Sequence, residues 1–421
     1  MKKIISFWNK CFLEERSSIS ISFFRLAAAF TVMAHVLPTF FHMGDNYLST
    51  AYKSYNTTFF PVYFIEWIIK SPDWVIYLFV WVFCLFSFFF LIGFLSQLSA
   101  ILTTIACYYF YALNSFHVGT LSWDILLVTL FLMCLVPYHG DYFSVDCLMQ
   151  EGRGYRQKRS YFIQRLLQMQ IGFTFFYTAL WKIYPNGNWL NANPIYYLMH
   201  KSPAGVTKWF LLRDYLKTQP ELCYWIGILI IGCELSLMFF LFWKKTRISA
   251  IYGGIFFHII LILTLDVPAI FFFLFPVQLL LFINPDQIVA WIEQKQRRNH
   301  SATLRLKIIY DGDCGFCRRW IKRIQIMDLF EKYMYVNFRT AADLKQIHPE
   351  LTEAACEHEM ILIDEDCSIH GGFFVFRKIC FSMPMLMPLA LVFYFPGSGS
   401  IGPLLYQWVA RHRYLFAKKS V

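Results

Sequence analysis

Eight stretches of this sequence are apolar over lengths that can cross a bilayer, and no other feature constrains the fold as strongly. They fall near 20–42, 74–95, 98–114, 121–138, 161–183, 222–243, 248–265 and 268–284. A helix needs about 20 residues to span the hydrocarbon layer, where every backbone N–H and C=O must find a partner within the protein. The segment 59–70 is too short and too amphipathic to span and reads as interfacial. Composition supports the same picture: only 15% of residues are charged, against roughly 25% in a soluble domain. The expected fold is an α-helical polytopic membrane bundle of about eight spans followed by a small α/β domain.

The net charge of +11 does not point to nucleic acid, because the basic residues sit in short runs beside apolar spans, the pattern that orients membrane proteins. Lys2, Lys3, Lys10 and Arg16 precede the first span, and Arg153, Arg156, Lys158 and Arg159 follow the fourth. Lys244, Lys245 and Arg247 follow the sixth span, and Lys295, Arg297 and Arg298 follow the eighth. All four groups fall on one side, which the positive-inside rule makes cytoplasmic; Lys201, Lys208, Arg213 and Lys217 in the opposite loop are the dissent. The N-terminus carries no small-residue cleavage site after a short apolar core, so the first span reads as an uncleaved anchor. The expected location is the cell inner membrane, with lipid as the first partner and the C-terminal domain in the cytoplasm. Oligomeric state is not legible.

A polar stretch at 293–304 reads as a linker between a membrane part, 1–292, and a C-terminal domain, 305–421. In that domain the pattern predicts a strand at 305–310, a helix at 314–329, a strand at 333–338, helical residues at 341–356, a strand at 359–364 and a hairpin turn near Glu365–Asp366. The apolar segment 381–395, broken by Pro384 and Pro388, reads as a core or interfacial helix pair. Between the first strand and helix lies Asp311-Gly-Asp-Cys314-Gly-Phe-Cys317. A cysteine opening a helix meets unpaired N–H groups and the positive end of the helix dipole, which favour a thiolate. Arg318, Arg319, Lys322 and Arg323 add positive charge nearby. The spacing makes Cys314 the attacking sulfur and Cys317 the resolving one, with a protein disulfide or thiol, or a small thiol, as substrate and no cofactor required. Asp311 is either a proton acceptor for Cys317 or a turn former. A structural zinc site would need two further ligands, which Cys367 and His370 could offer. Of the twelve cysteines, most of those outside the Cys314/Cys317 pair lie in apolar surroundings and read as packing residues.

Ionisable groups inside spans are costly and mark cavities or partners. Lys182 either snorkels to headgroups or serves as a general base in apolar surroundings. His258 is either a site residue or a histidine hydrogen-bonded between helices. Glu234 reads as pairing with a cation on another helix, and the sequence does not choose that cation. His35, Asp124 and Arg25 raise the same question at span ends or interiors.

The C-terminal part resembles the DCC family of thiol–disulfide oxidoreductases through Asp311, Cys314 and Cys317, and through the tail 405–416. The resemblance covers about 305–418 and implies a thioredoxin-like fold and activity of the protein-disulfide reductase type. One departure is that His358 and Glu359, rather than the proline usual in thioredoxins, precede Met360. The membrane part resembles the HTTM superfamily, to which vitamin K-dependent gamma-carboxylase belongs. The matching pieces are Phe24-Arg25, Phe143-Ser-Val-Asp146, Tyr177-Thr-Ala-Leu-Trp-Lys182 with Trp189, His258, and the segment ending at Pro285. That resemblance implies a vitamin K-like quinone in the membrane domain, with Lys182 as the base and His258 beside it. Three functions therefore stand open: a membrane-anchored oxidoreductase, a carboxylase-like enzyme centred on Lys182, and a non-enzymatic peptide-maturation or immunity protein.

Overall fold

A computed structural model describes residues 6, 8–9, 12–51, 62–114, 121–152, 157–184, 188–201, 206–207, 210–301, 306–341 and 343–413. Lys2, Lys3, Lys10, Arg153, Arg156 and Lys208 of the charge argument lie outside these residues, as do 302–304 of the linker and 414–416 of the tail. The chain divides into two compact units, one of Met1–Asp146 with Gly154–Asp286 and one of Cys147–Arg153 with Gln287–Val421.

The first unit is helical. Its main helices are α1 (Ile19–Val36), α2 (Asp73–Ile92), α3 (Ser96–Leu113), α4 (Leu121–Cys134), α5 (Phe162–Ile183), α6 (Pro220–Phe242), α7 (Arg247–Thr264) and α8 (Ala269–Leu280). A short antiparallel pair, β1 (Glu15–Ser17) with β2 (Lys158–Ser160), ties the start of α1 to the start of α5. Among the described residues four helices are long and apolar enough to cross a membrane: Ile19–Asn46, which extends α1, together with α2, α6 and α7. A fifth crossing arises if α8 and the following helix α9 (Pro285–His300), bent by 83°, are taken as one span.

The apolar side chains face outward as well as inward. Along α2, Trp74, Leu78, Trp81, Leu85 and Phe88 form an exposed stripe, while Ile76, Phe83, Ser87 and Phe90 are buried. A helix apolar on both faces suits a lipid solvent. On α5 the arrangement inverts, and its polar side chains turn inward. Gln164 and Gln168 each donate to the Leu281 carbonyl at 2.7 Å, and Gln278 donates to the Leu167 carbonyl at 2.8 Å. Gln164 and Gln168 lower the apolarity of α5 although 22 residues are ample for a crossing. The shortfall from eight expected spans thus has a physical cause: α5 carries polar groups turned into the bundle, and α4 and α8 are only 14 and 12 residues long.

The second unit opens with α9, which continues through His300 and so runs well into the stretch read as a linker. Gln296 and Asn299 on α9 donate to the carbonyls of Leu329 and Phe330. Strand β3 (Leu306–Tyr310), helix α10 (Gly315–Met327) and strand β4 (Tyr333–Asn337) form a parallel crossover unit. The antiparallel hairpin β5 (Ile361–Ile363) and β6 (Ile369–Gly371) follows, giving a sheet ordered β4-β3-β5-β6. The hairpin turns at Asp364–Ser368, where Cys367 holds a φ of 62°. Central β3 is apolar on both sides: Ile308 packs with Ile321, Ile324, Val375 and Ile379, and Ile309 packs with Phe338, Leu351 and Cys356. A strand covered on both faces needs that continuous apolar run.

The helical stretch expected at 341–356 breaks into Leu344–Ile347 and α11 (Glu353–His358). Pro349 lies between them, and Thr352 caps α11 by accepting the Ala355 amide at 3.3 Å. Helix α12 (Phe373–Ser382) follows β6. The apolar 381–395 segment forms only short turns, including α13 (Ala390–Phe393), before the terminal helix α14 (Ser398–His412).

Candidate functional site

Strand β3 delivers the chain to a turn at Asp311–Asp313, and Cys314 caps α10 from extended backbone, with φ −76° and ψ 110°. The Cys317 amide donates to Cys314 Sγ at 3.3 Å, so that sulfur takes up an N–H the helix would otherwise leave unpaired. Cys314 is only 1% exposed, whereas Cys317, at the end of the first helical turn, is partly open. Burial, and then the neighbouring Cys314 sulfur, push the Cys317 thiol up to about 12. Arg413 works against that rise, and the Asp311 carboxylate adds to it.

The turn is braced from β4. Asn337 Oδ1 accepts the Gly312 amide at 3.0 Å and the Arg339 amide at 3.1 Å. Its amide group lies where a Cβ on residue 312 would project, so glycine is the residue that admits this close approach. Arg318 Nη1 donates to the Gly312 carbonyl at 2.9 Å. Asp311 is buried; its Oδ1 accepts the Asp313 amide at 3.0 Å and pairs with Arg339 Nε at 3.3 Å. Arg339 also reaches Glu357 at 2.8 Å. Asp311 is thus both a turn former and a charged group beside the cysteine pair. Asn337 and Arg339 were missed by the sequence reading, because nothing within their own segment marks them as partners of a turn more than twenty residues earlier. Among the described residues no group of three or more His, Cys, Asp and Glu side chains is placed to hold a metal ion.

In the helical unit Lys182 ends α5 and forms a two-pronged ion pair with Glu234 of α6, at 2.6 and 2.7 Å. Both side chains are largely buried, and Trp189 lies 5.3 Å from the Lys182 ammonium. The cation left open for Glu234 is therefore Lys182. His258 of α7 is buried; its Nδ1 lies 2.8 Å from the Gly254 carbonyl, and Phe175, Phe257, Phe271 and Phe275 surround the ring. Lys182 and His258 do not touch. Phe175 and Lys182 lie seven residues apart on one face of α5, about 10 Å along its axis. His35 packs on Trp123 at 5.2 Å, Tyr111 donates to Asp124 at 2.8 Å, and Arg25 is fully buried with a hydrogen bond to the Phe143 carbonyl.

A lipid-facing helical unit followed by an α/β region with paired cysteines at a strand–helix turn defines a membrane protein with a thiol–disulfide type of domain. Residues 14–287 match the HTTM domain family, and the chain belongs to that family. Residues 308–419 match the DCC1-like thiol-disulfide oxidoreductase family. No curated protein and no solved structure matches the chain.

Proposed function

We propose that the protein is a membrane-tethered thiol–disulfide oxidoreductase whose Cys314 and Cys317 cycle between dithiol and disulfide. The observation that carries this reading is the N-terminal capping of α10 by Cys314 one turn from Cys317, inside the region matching an oxidoreductase family. Burial favours a division of roles opposite to the one expected from spacing: Cys317 meets the substrate sulfur, and Cys314 is its inner partner. In the disulfide form, an incoming thiolate bonds to Cys317 Sγ. The Cys314–Cys317 bond breaks, and its electron pair leaves on Cys314 Sγ, where the helix N-terminus stabilises negative charge. A second thiolate then bonds to the substrate sulfur, releasing the substrate disulfide, and Cys317 regains a proton with help from the Asp311 region. Run backwards, the same path reduces a disulfide at the expense of the dithiol. The β3–α10–β4 and β5–β6–α12 arrangement supports a thioredoxin-like fold for 305–421.

The proposed setting is the cell inner membrane with the C-terminal domain in the cytoplasm, eight crossings being completed by α3, α4 and α5. A reporter fused after Val421 tests the side, and a periplasmic signal rejects it. The purified full chain should show a reversible two-electron couple that Cys314→Ser abolishes. Absence of any such couple rejects the enzyme reading.

A second reading gives the helical unit a quinone- or lipid-linked activity of its own. The buried Lys182–Glu234 pair and the aromatic surroundings of His258, on one face of α5, suit an aromatic cofactor such as a quinone. Lys182 and Glu234 would hold and move its proton, His258 and Phe175 would position its ring, and a quinone would supply two-electron redox chemistry. Activity lost in Lys182→Ala but kept in Cys314→Ser favours this carboxylase-like reading.

A further inference from the structure

In the C-terminal unit a cleft of about 840 Å³ opens against Cys317. Small-molecule sites typically span roughly 300–1,000 Å³, so the space suits a ligand rather than a stray packing defect. Its walls come from α10, α12, α13 and α14 and are apolar: Phe316, Trp320, Phe376, Val392, Ile401 and Leu405 define them. Polar side chains gather at the end nearest the cysteines, where Asp311, Glu359, Tyr406 and Arg413 also line the cleft. Tyr406 is itself fixed, its hydroxyl oxygen accepting a hydrogen bond from the Met360 amide at 3.0 Å.

We infer that this cleft binds the hydrocarbon chain of a small lipophilic thiol or disulfide and presents its sulfur to Cys317. The inference rests on the redox reading of Cys314 and Cys317 and names the substrate class for that same pair. The apolar walls are built from helices, which satisfy their backbone groups internally. At the cysteine end Tyr310 belongs to β3, an inner strand, and the Met360 amide and carbonyl are already paired, so the trough offers no open strand edge. An extended peptide laid there would leave its own amides without partners, at a cost that a hydrocarbon chain does not incur. The chain's membrane anchoring supplies the matching source, since an amphiphile dissolved in the bilayer is concentrated where the protein resides. The reaction is the exchange already written: the thiolate of the amphiphile bonds to Cys317 Sγ, the Cys314–Cys317 bond breaks, and Cys314 departs with the electron pair. A second thiolate releases the amphiphile as a disulfide and leaves the dithiol. A disulfide-bearing small molecule or protein is the oxidant that restores the pair.

The test uses the full chain, oxidised, in nanodiscs of one lipid composition, with ethanethiol, hexanethiol and decanethiol as probes. The rate constant for loss of the Cys314–Cys317 disulfide is read by acid quench, alkylation and mass spectrometry. The expected result is a rate that rises with chain length, by up to about fourfold for each CH₂ fully buried in the cleft. Leu405→Trp and Ile401→Trp, both at exposed positions on α14, narrow the trough and should flatten that slope. An equal slope in wild type and both variants would mean that the bilayer alone sets the preference, and it overturns the inference. Equal rates for all three thiols overturn it too, while leaving the redox pair intact. If no thiol of any length opens the disulfide, the redox reading itself falls, and the cleft assignment falls with it.

Discussion

Replacing Glu234 by glutamine should destabilise the helical unit far more than replacing Lys182 and Glu234 together by apolar residues. In the native protein the two side chains pair at 2.6 Å with 14% and 8% of their surfaces exposed. Removing one partner strands the other charge in apolar surroundings, at a cost of about 3–5 kcal/mol. Removing both eliminates the desolvation penalty as well as the attraction, and buried pairs replaced by apolar groups of similar volume are often neutral or gain about 1–4 kcal/mol. The double-mutant cycle of Glu234→Leu, Lys182→Met and the Lys182→Met/Glu234→Leu combination should therefore be strongly non-additive, with coupling of at least about 2 kcal/mol. The assay is reversible unfolding of the full chain in mixed micelles, followed by tryptophan fluorescence. If the single losses simply add in the double variant, the pair is hydrated rather than buried, and the electrostatic argument fails.

Gly312→Ala should disturb the cysteine turn by about 1–3 kcal/mol, because the new methyl meets Asn337 and the hydrogen bond to its Oδ1 is lost; denaturant unfolding of the full chain and the reduction potential should shift together. Ile308→Ala opens a hole between β3 and the helices α10 and α12, for which about 2–5 kcal/mol is expected, read as earlier proteolysis of the C-terminal unit. The pH dependence has a definite sign: burial raises the folded Cys317 thiol to about 12, so between the ordinary thiol range and that value the folded state holds the extra proton. Its contribution to stability is complete below the ordinary thiol range and is lost as pH climbs through the folded value. Denaturation midpoints of the reduced protein should fall with rising pH in that window, and Cys317→Ser should lessen the dependence, leaving the part that buried Cys356, Cys380 and Tyr333 contribute with the same sign. Alkylation of reduced Cys317 should likewise stay slow near neutrality, and fast labelling at pH 7 would contradict the burial.

Much of the architecture is written in short windows of the chain. The runs of apolar residues announce helices in lipid, because a bilayer forces each spanning segment to satisfy its own backbone. Strand β3, the cysteine turn and α10 are adjacent in sequence, so their order and the capping position of Cys314 are local properties. The hairpin after β5 is local as well, since Asp364–Ser368 closes on itself. What depends on distant residues meeting was not legible: Glu234 selects Lys182 across 52 positions, Asn337 braces Gly312 across 25, and inward-turned glutamines make α5 less apolar than its length suggests. The exposure of the two sulfurs belongs to the same class. Spacing alone ranks Cys314 outermost, but burial is a property of the tertiary packing, which leaves Cys314 covered and puts Cys317 on the wall of an apolar cleft lined by α10, α12, α13 and α14.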